Sequence, residues 1–257
     1  MQRVPPVLAA LTVLAQIVYP LTSGAARDHV TIVVVVLLAL TGVAHAATTY
    51  GPAWALRFVV VTAGIGFAVE IVGVATGFPF GSYDYGDRLG PAVAGVPLVI
   101  AVAWTAGVYP VWAVARLCYR GRVARIAATA VATAGWDLYL DPQMVADAQW
   151  TWHATAPALP GLPDIPITNY LAWLVVALVM AVLLTFGGPR DPETLGRSGV
   201  PIVLFVWTWL GSALAHAVFL DVPQLRWSAV YGLIGMGTLG VPLIARVLLP
   251  RIRTADR

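Results

Sequence analysis

The sequence contains no lysine and little charge of either sign. Its 257 residues include 15 basic side chains, all of them arginine, and only 11% of the residues are charged. Soluble domains usually carry about 25% charged residues. The absence of lysine excludes enzymes that form a Schiff base through lysine, and with them retinal pigments. Because 60% of the residues are hydrophobic and the mean hydropathy is +0.83, the chain is expected to be a membrane protein.

Cysteine and histidine are also scarce. The single cysteine, Cys118, cannot form an intramolecular disulfide or a cysteine-only metal site. The four histidines lie far apart in the sequence, which argues against an iron or zinc membrane oxygenase. We therefore expect no metal and no cofactor. The arginines flank hydrophobic segments instead of forming one basic run, so nucleic acid is not an expected partner.

Eight apolar runs bounded by proline, glycine or charge follow one another along the chain. They predict an all-α, polytopic transmembrane helix bundle of about eight helices, forming a single integral membrane domain over residues 1–257. The predicted spans are 4–22, 30–47, 54–76, 92–117, 123–141, 169–187, 199–220 and 227–248.

The arginines also predict an orientation. With the N-terminus in the cytoplasm, only three of the fifteen fall in outer loops, namely Arg27, Arg88 and Arg226. This positive-inside bias predicts a protein of the cell membrane with both termini cytoplasmic. The first run, with Arg3 before it and Ser23-Gly24-Ala25 after it, also resembles a cleaved signal peptide, which would leave seven helices. We favour a retained helix, because the apolar stretch continues past Val18 to Leu21.

Two long outer loops, residues 77–91 and 141–168, are rich in aromatic residues, glycine and proline, and are expected to be ordered and functional.

Glu70 lies six residues before the outer end of the third span, about 9 Å below that end. An ionisable group at that depth marks a functional position unless a neighbouring helix satisfies it. His216 in the seventh span is open to two interpretations, helix packing and catalysis.

The pair Asp137 and Asp141 is the strongest chemical signal. If the helix continues to Pro142, the two carboxyl groups share one face, repel each other, and provide an acid and a base together. The alternative is that Asp141 merely ends the helix. Asn169 could orient a carboxylate or a water molecule. Nine aromatic residues are predicted at the same level, where their rings could stabilise a carbocation: Phe78, Phe80, Tyr83, Tyr85, Trp136, Tyr139, Trp150, Trp152 and Tyr170.

Several runs together resemble a known family. They are Glu70 followed by Thr76-Gly-Phe-Pro-Phe-Gly-Ser-Tyr-Asp-Tyr85, then Leu89-Gly-Pro91, Gly95-Val-Pro-Leu98, Gly135-Trp-Asp-Leu138, Asp141-Pro-Gln-Met-Val145, Trp150-x-Trp152, Ile165-Pro166 and Asn169-Tyr170. In this order they resemble the membrane-bound carotenoid biosynthesis hydratases, of the bisanhydrobacterioruberin and gamma-carotene hydratase type. The resemblance covers residues from about 65 to 175. The first two and last two helices share only hydrophobicity with that family.

The resemblance implies addition of water across the terminal isoprenoid double bond of an acyclic carotenoid end, which gives a tertiary alcohol. We expect the Asp137/Asp141 pair to supply the acid and Glu70 to hold or deprotonate the water, although these roles could be exchanged. The aromatic residues other than Tyr139 and Tyr170 are expected to bind the substrate, together with Asn169 and His216. The expected partners are a lipid-soluble carotenoid, the bilayer and other enzymes of the carotenoid pathway.

Two other functions remain open at this stage. Asp137-x-x-x-Asp141 also looks like half of the magnesium-diphosphate motif of a membrane prenyltransferase, with Asp84-x-x-Asp87 as a poor second half. A carotenoid or lipid carrier would explain the aromatic loops. It would not explain three carboxyl groups buried at one level.

Overall fold

Long apolar runs dominate the sequence, and in the structure they form helices packed side by side. The structure, a computed structural model, describes residues 3–189 and 194–255. The described residues contain eight long helices: α1 Val4–Val18, α2 Gly24–Tyr50, α3 Pro52–Thr76, α4 Leu98–Cys118, α5 Arg122–Ala146, α6 Ile167–Phe186, α7 Gly199–Phe219 and α8 Leu225–Ala255. The prediction of an all-α transmembrane bundle is therefore confirmed. The predicted cytoplasmic termini include residues 1, 2, 256 and 257, which lie outside the described residues, and their side of the membrane stays a prediction.

Seven of these helices, or their described parts, are long and apolar enough to cross a membrane, and α5 is the exception. Its 25 residues span about 38 Å, but they include two arginines and two aspartates. Helix α5 packs between α6 and α8, so Asp137 and Asp141 face protein and are 0% and 3% exposed. The bundle, not the lipid, surrounds the polar part of this helix.

Two predicted boundaries that bear on the site are wrong. Helix α4 begins at Leu98 and not at residue 92, because β2 (Ala92–Val93) pairs with β3 (Val96–Pro97) in a short hairpin before it. Helix α5 continues past Pro142 to Ala146, so the second long loop begins at residue 147 and not at 141. Asp141 is consequently a helical residue, as the hypothesis of a shared carboxylate face requires.

Helix α5 passes through Pro142 because another helix compensates for the proline. Proline has no N–H, so the carbonyl of Leu138, four residues earlier, loses its helical partner. The hydroxyl of Ser228 in α8 donates a hydrogen bond of 2.6 Å to this carbonyl. A side chain of the last helix thus satisfies the backbone of α5 beside the acid pair.

The two long loops meet at one end of the bundle, called the loop end below. Strand β1 (Tyr83–Tyr85) in the first loop pairs antiparallel with β4 (Trp150–Trp152) in the second. In the second loop, β5 (Ala158–Leu159) pairs with β6 (Leu162–Pro166). Together these pairings form one ordered cover over α3 to α6.

The helices approach each other closely where small residues meet. The α-carbons of Gly135 in α5 and Gly235 in α8 lie against each other, and a Cβ on Gly135 would lie 2.5 Å from the Gly235 carbonyl carbon. On the other side of the bundle, the buried hydroxyls of Thr12 in α1 and Thr41 in α2 are 3.2 Å apart. Helix α1 is therefore packed into the bundle through a buried polar contact.

Candidate active site

The acid pair lies one turn apart on α5 and is bridged by one amide. Asn169, in the first turn of α6, donates from Nδ2 to Oδ2 of Asp137 at 3.3 Å and also to Oδ2 of Asp141. All three side chains are buried. Among the described residues, the second oxygen of Asp137, Oδ1, has no hydrogen-bond partner. The amide thus fixes the two carboxyl groups relative to each other.

Glu70 of α3 is held by three neutral donors. The hydroxyls of Tyr83 and Tyr85 donate to its Oε2 at 2.5 Å and 2.9 Å, and the indole Nε1 of Trp104 donates to Oε1 at 3.1 Å. Hydrogen bonds to a carboxylate favour its charged form, whereas burial opposes it. The three donors therefore offset part of the cost of removing this group from water.

The local sequence explains why these donors reach Glu70. Tyr83 and Tyr85 are two residues apart on β1, and alternate residues of a strand point to the same face. Gly73, one turn after Glu70, leaves room for them. A Cβ at this position would lie 2.8 Å from the Tyr83 hydroxyl and 2.9 Å from the ring of Phe80.

The two loop tyrosines remain protonated donors. Burial, followed by the nearby Glu70 carboxyl group and the hydrogen bond to it, raises the pKa of Tyr83 above its ordinary value of about 10. Burial and the same carboxyl group also raise the pKa of Tyr85 well above that value. Both phenols therefore donate to Glu70 throughout the physiological range of pH.

Glu70 and Asp141 line the same cavity, called the acid cavity below. Its free volume of about 50 Å³ is enough for a few water molecules at most. Asp137 does not line it and lies behind Asp141. The remaining polar and aromatic side chains in its wall are Thr31, Phe80, Tyr83, Tyr85, Trp104, Trp150, Trp152, Asn169 and Trp173.

Seven aromatic residues line the acid cavity together with the carboxyl groups. The rings of Trp104 and Trp173 stack with their centroids 3.8 Å apart, and Tyr83 stacks on Trp152 at 5.5 Å. The faces of such rings carry negative potential and attract cations. The cavity thus combines acidic groups with surfaces that can stabilise a positive charge.

The structure brings six of the nine predicted substrate-binding residues into the wall of the acid cavity: Phe80, Tyr83, Tyr85, Trp150, Trp152 and Asn169. Phe78 is not among them. It lies in the turn after α3 with its side chain 74% exposed, and its part in substrate binding stays a prediction. Trp136 lines a neighbouring cavity instead.

His216 lies outside the acid cavity. Its Nδ1 is 2.9 Å from the Ser228 hydroxyl, its Nε2 is 2.8 Å from the side-chain amide of Gln143, and its ring packs edge-on against Tyr139. Because the Ser228 hydroxyl donates to the Leu138 carbonyl, His216 supports the contact that carries α5 past Pro142. These contacts are the ones expected if His216 holds helices together and takes no part in catalysis.

Charged residues tie the loop cover to α2. Arg27 forms a salt bridge of 2.8 Å with Asp147, and Arg88 lies 3.4 Å from Asp28. Gln149 donates to the same Asp28 carboxyl group at 2.5 Å. The positive-inside pattern predicts an outer position for Arg27 and Arg88 but does not predict this network.

Comparisons with known proteins show the family of this chain. The family model for carotenoid biosynthesis proteins matches residues 30–238, which include every polar residue of the acid cavity. The chain belongs to this family. A bisanhydrobacterioruberin hydratase from Haloarcula japonica is 31% identical over 160 residues, which are 58% of this chain and 53% of that protein. The chain thus spans about half the length of this relative. No solved structure matches the chain.

Sequence reasoning missed three polar or aromatic members of the site of this carotenoid biosynthesis protein, namely Thr31, Trp104 and Trp173. Trp173 follows Asn169 by four residues and therefore lies on the same face of α6, a signal that was available in the sequence. Trp104 lies within the long apolar run of α4, and its partner Glu70 is 34 residues away. No local pattern links these two residues, so only the folded structure pairs them.

Proposed function

We propose that this carotenoid biosynthesis protein is a hydratase. It adds water across the terminal isoprenoid double bond of an acyclic carotenoid end and produces a tertiary alcohol. The observation that carries this proposal is a buried carboxyl pair, bridged by Asn169, beside a small cavity walled by aromatic rings. The family match and the named activity of the Haloarcula japonica relative support it.

The chemistry requires one acid that faces the substrate. Asp141 lines the acid cavity, so it donates its proton to the less substituted carbon of the double bond. The electron pair of the double bond forms the new C–H bond, and a tertiary cation remains on the other carbon. Water then forms the C–O bond, and its surplus proton returns to the Asp141 carboxylate. One carboxyl group thus acts as acid and then as base, and the cycle closes.

The neighbouring groups support this step without exchanging protons. Asp137 lies behind Asp141 and is a positioning residue, which acts through the shared Asn169 bridge. Glu70 faces the cavity with its oxygens held by Tyr83, Tyr85 and Trp104. Its carboxyl group orients the attacking water beside the cation. The aromatic wall stabilises the same cation and excludes bulk water.

The prenyltransferase alternative fits the geometry less well. Asp84 of the candidate second motif is exposed and pairs with His153 at 2.7 Å, on the outer face of β1. Arg27 and Arg88, which could have bound a diphosphate, are engaged by Asp147 and Asp28. No group of three metal-binding side chains occurs within residues 3–189 and 194–255.

Co-expression with a lycopene-producing pathway in a colourless host tests the proposal. Mass spectrometry of the extracted pigments should find products heavier by one or two water molecules, and these should disappear in Asp141→Asn. The same assay with gamma-carotene and with a bacterioruberin precursor tests the other candidate carotenoid substrates. Unchanged pigment with all three substrates would overturn the proposal. If the unchanged pigment also copurified with the protein, this result would favour a carotenoid carrier.

A further inference from the structure

A second cavity lies next to the acid cavity, and no role has yet been assigned to it. Its free volume is about 140 Å³, and helices α1, α2, α4, α5 and α7 enclose it. The two cavities share part of their walls. Thr31, Leu140 and Met144 line both of them, and Leu140 and Met144 flank Asp141 on the same helix. The second cavity therefore reaches to within one side chain of the proposed acid.

The second cavity is lined by neutral hydrogen-bonding groups as well as by apolar ones. Gln16, Tyr19, Gln143, Thr208 and Ser212 contribute them from three helices. The amide oxygen of Gln16 is buried and has no hydrogen-bond partner among the described residues. A buried polar atom without a partner is costly, and ordered water usually satisfies it.

The dimensions and lining of this cavity suit water. A buried water molecule needs about 10–15 Å³ of accessible space and two to four polar partners, and the second cavity exceeds both requirements. Among the described residues that line it, none carries a formal charge at neutral pH, so an ionic ligand finds no counter-ion there. The acid cavity is smaller, and it contains two carboxyl groups and seven aromatic side chains.

We propose that the second cavity holds the water that hydrates the substrate and delivers it to the acid cavity past Thr31 and Met144. This inference rests on the proposed hydratase function. A carotenoid end that fills the acid cavity leaves no room there for a separate store of water. The Thr31 hydroxyl lies in both walls and donates to the Arg27 carbonyl at 2.9 Å, so its oxygen can still accept a hydrogen bond from passing water.

Hydroxyl-radical footprinting in ¹⁸O-labelled water detects this store independently of activity. The purified full-length chain is irradiated in detergent, and mass spectrometry measures ¹⁸O incorporation at each methionine. Met144 is 2% exposed and lines the second cavity, whereas Met180 and Met236 are as deeply buried but line neither cavity. We expect strong labelling of Met144 alone among these three. Equal labelling of all three would overturn the proposal.

Two variants connect the store to the reaction. Gln16→Leu keeps the volume but removes one partner of the water, so the hydration rate should fall about five-fold, the equivalent of one net hydrogen bond. Because this oxygen accepts no hydrogen bond from the described protein residues, Tm should stay the same or rise, which a merely structural role would not produce. Ser212→Leu fills the cavity and should lower both the rate and the labelling of Met144.

Val218→Leu is the control for Ser212→Leu, because it adds bulk to the outer face of the same helix at a residue that is 65% exposed. It should change neither readout. Full hydration activity in Ser212→Leu, with Met144 labelling lost, would refute delivery from this cavity and leave the hydratase proposal intact. Selective labelling of Met144 without hydration of any substrate would refute the hydratase and leave the water site.

Discussion

Asn169 offers a quantitative test of the bridged acid pair. Asn169→Leu has a similar size but removes the only donor that contacts both carboxyl groups in the described part of the chain. A hydrogen bond to a charged group contributes about 1.5–3 kcal/mol. If the bridge holds Asp141 in its reactive position, the same free energy enters the barrier, and hydration should slow about 10- to 100-fold.

The assay measures initial rates in isolated membranes that contain equal amounts of folded protein, with the hydrated pigment quantified by mass spectrometry. Thr133→Val is the matched control. Thr133 lies one turn before Asp137 on α5, it is fully buried, and its hydroxyl has no partner among the described residues. It should keep the wild-type rate. A wild-type rate in Asn169→Leu would refute the bridge, because the carboxyl pair would then function without a shared donor.

Three further predictions follow from separate contacts. Asp141→Asn should lower the hydration rate by about 10²- to 10⁴-fold, the usual contribution of general acid catalysis, and Asp137→Asn by less, because Asp137 does not face the cavity. The raised pKa of Tyr83 favours its neutral form in the folded state, so its contribution to stability is complete below about pH 10 and is lost as the pH rises further. Thermal unfolding between pH 9 and 11 should show this loss, and Tyr83→Phe should reduce it. Ser228→Ala should cost about 1–3 kcal/mol in stability, and less in a Pro142→Ala background, where the restored N–H satisfies the same carbonyl.

Each of these predictions has a contradicting result. Equal losses in Asp137→Asn and Asp141→Asn would show that both carboxyl groups face the substrate. An unfolding curve that moves below pH 9 would point to a group other than Tyr83. Identical costs of Ser228→Ala with and without Pro142 would mean that its hydrogen bond does not compensate for the proline.

The sequence predicts the helices well because membrane spans are signalled by composition alone. All eight predicted runs correspond to helices, and the boundary error that matters most for the site lies at a proline. Pro142 was treated as a possible helix end because its effect depends on Ser228, which is 86 residues away in the sequence and close only in the fold. Likewise, the hairpin before Leu98 replaces a predicted helical start, because backbone pairing there overrides hydrophobicity.

The candidate site is predictable to the extent that its residues share a local pattern. Asp137 and Asp141 were predicted to share a face from their spacing, and they do. Spacing could not show that Asp141 faces the cavity whereas Asp137 lies behind it. Hydropathy also places Phe78 beside Phe80, although the turn directs only Phe80 inward. Side-chain direction in a loop depends on tertiary pairing, here between β1 and β4.

The polar character of α5 has a consequence for how the chain enters the membrane during synthesis. An aspartate at the centre of a membrane helix opposes insertion by roughly 2.5–3.5 kcal/mol, and α5 carries two within the bundle. The residues that contact the polar face and backbone of α5 are Asn169 on α6 and Ser228 and Gly235 on α8. All of them are synthesised after α5. Stable integration of α5 is therefore expected only once the C-terminal helices have emerged. Glycosylation mapping of chains truncated before and after α8 would show this dependence, and a chain cut before Leu225 should expose α5 to proteolysis.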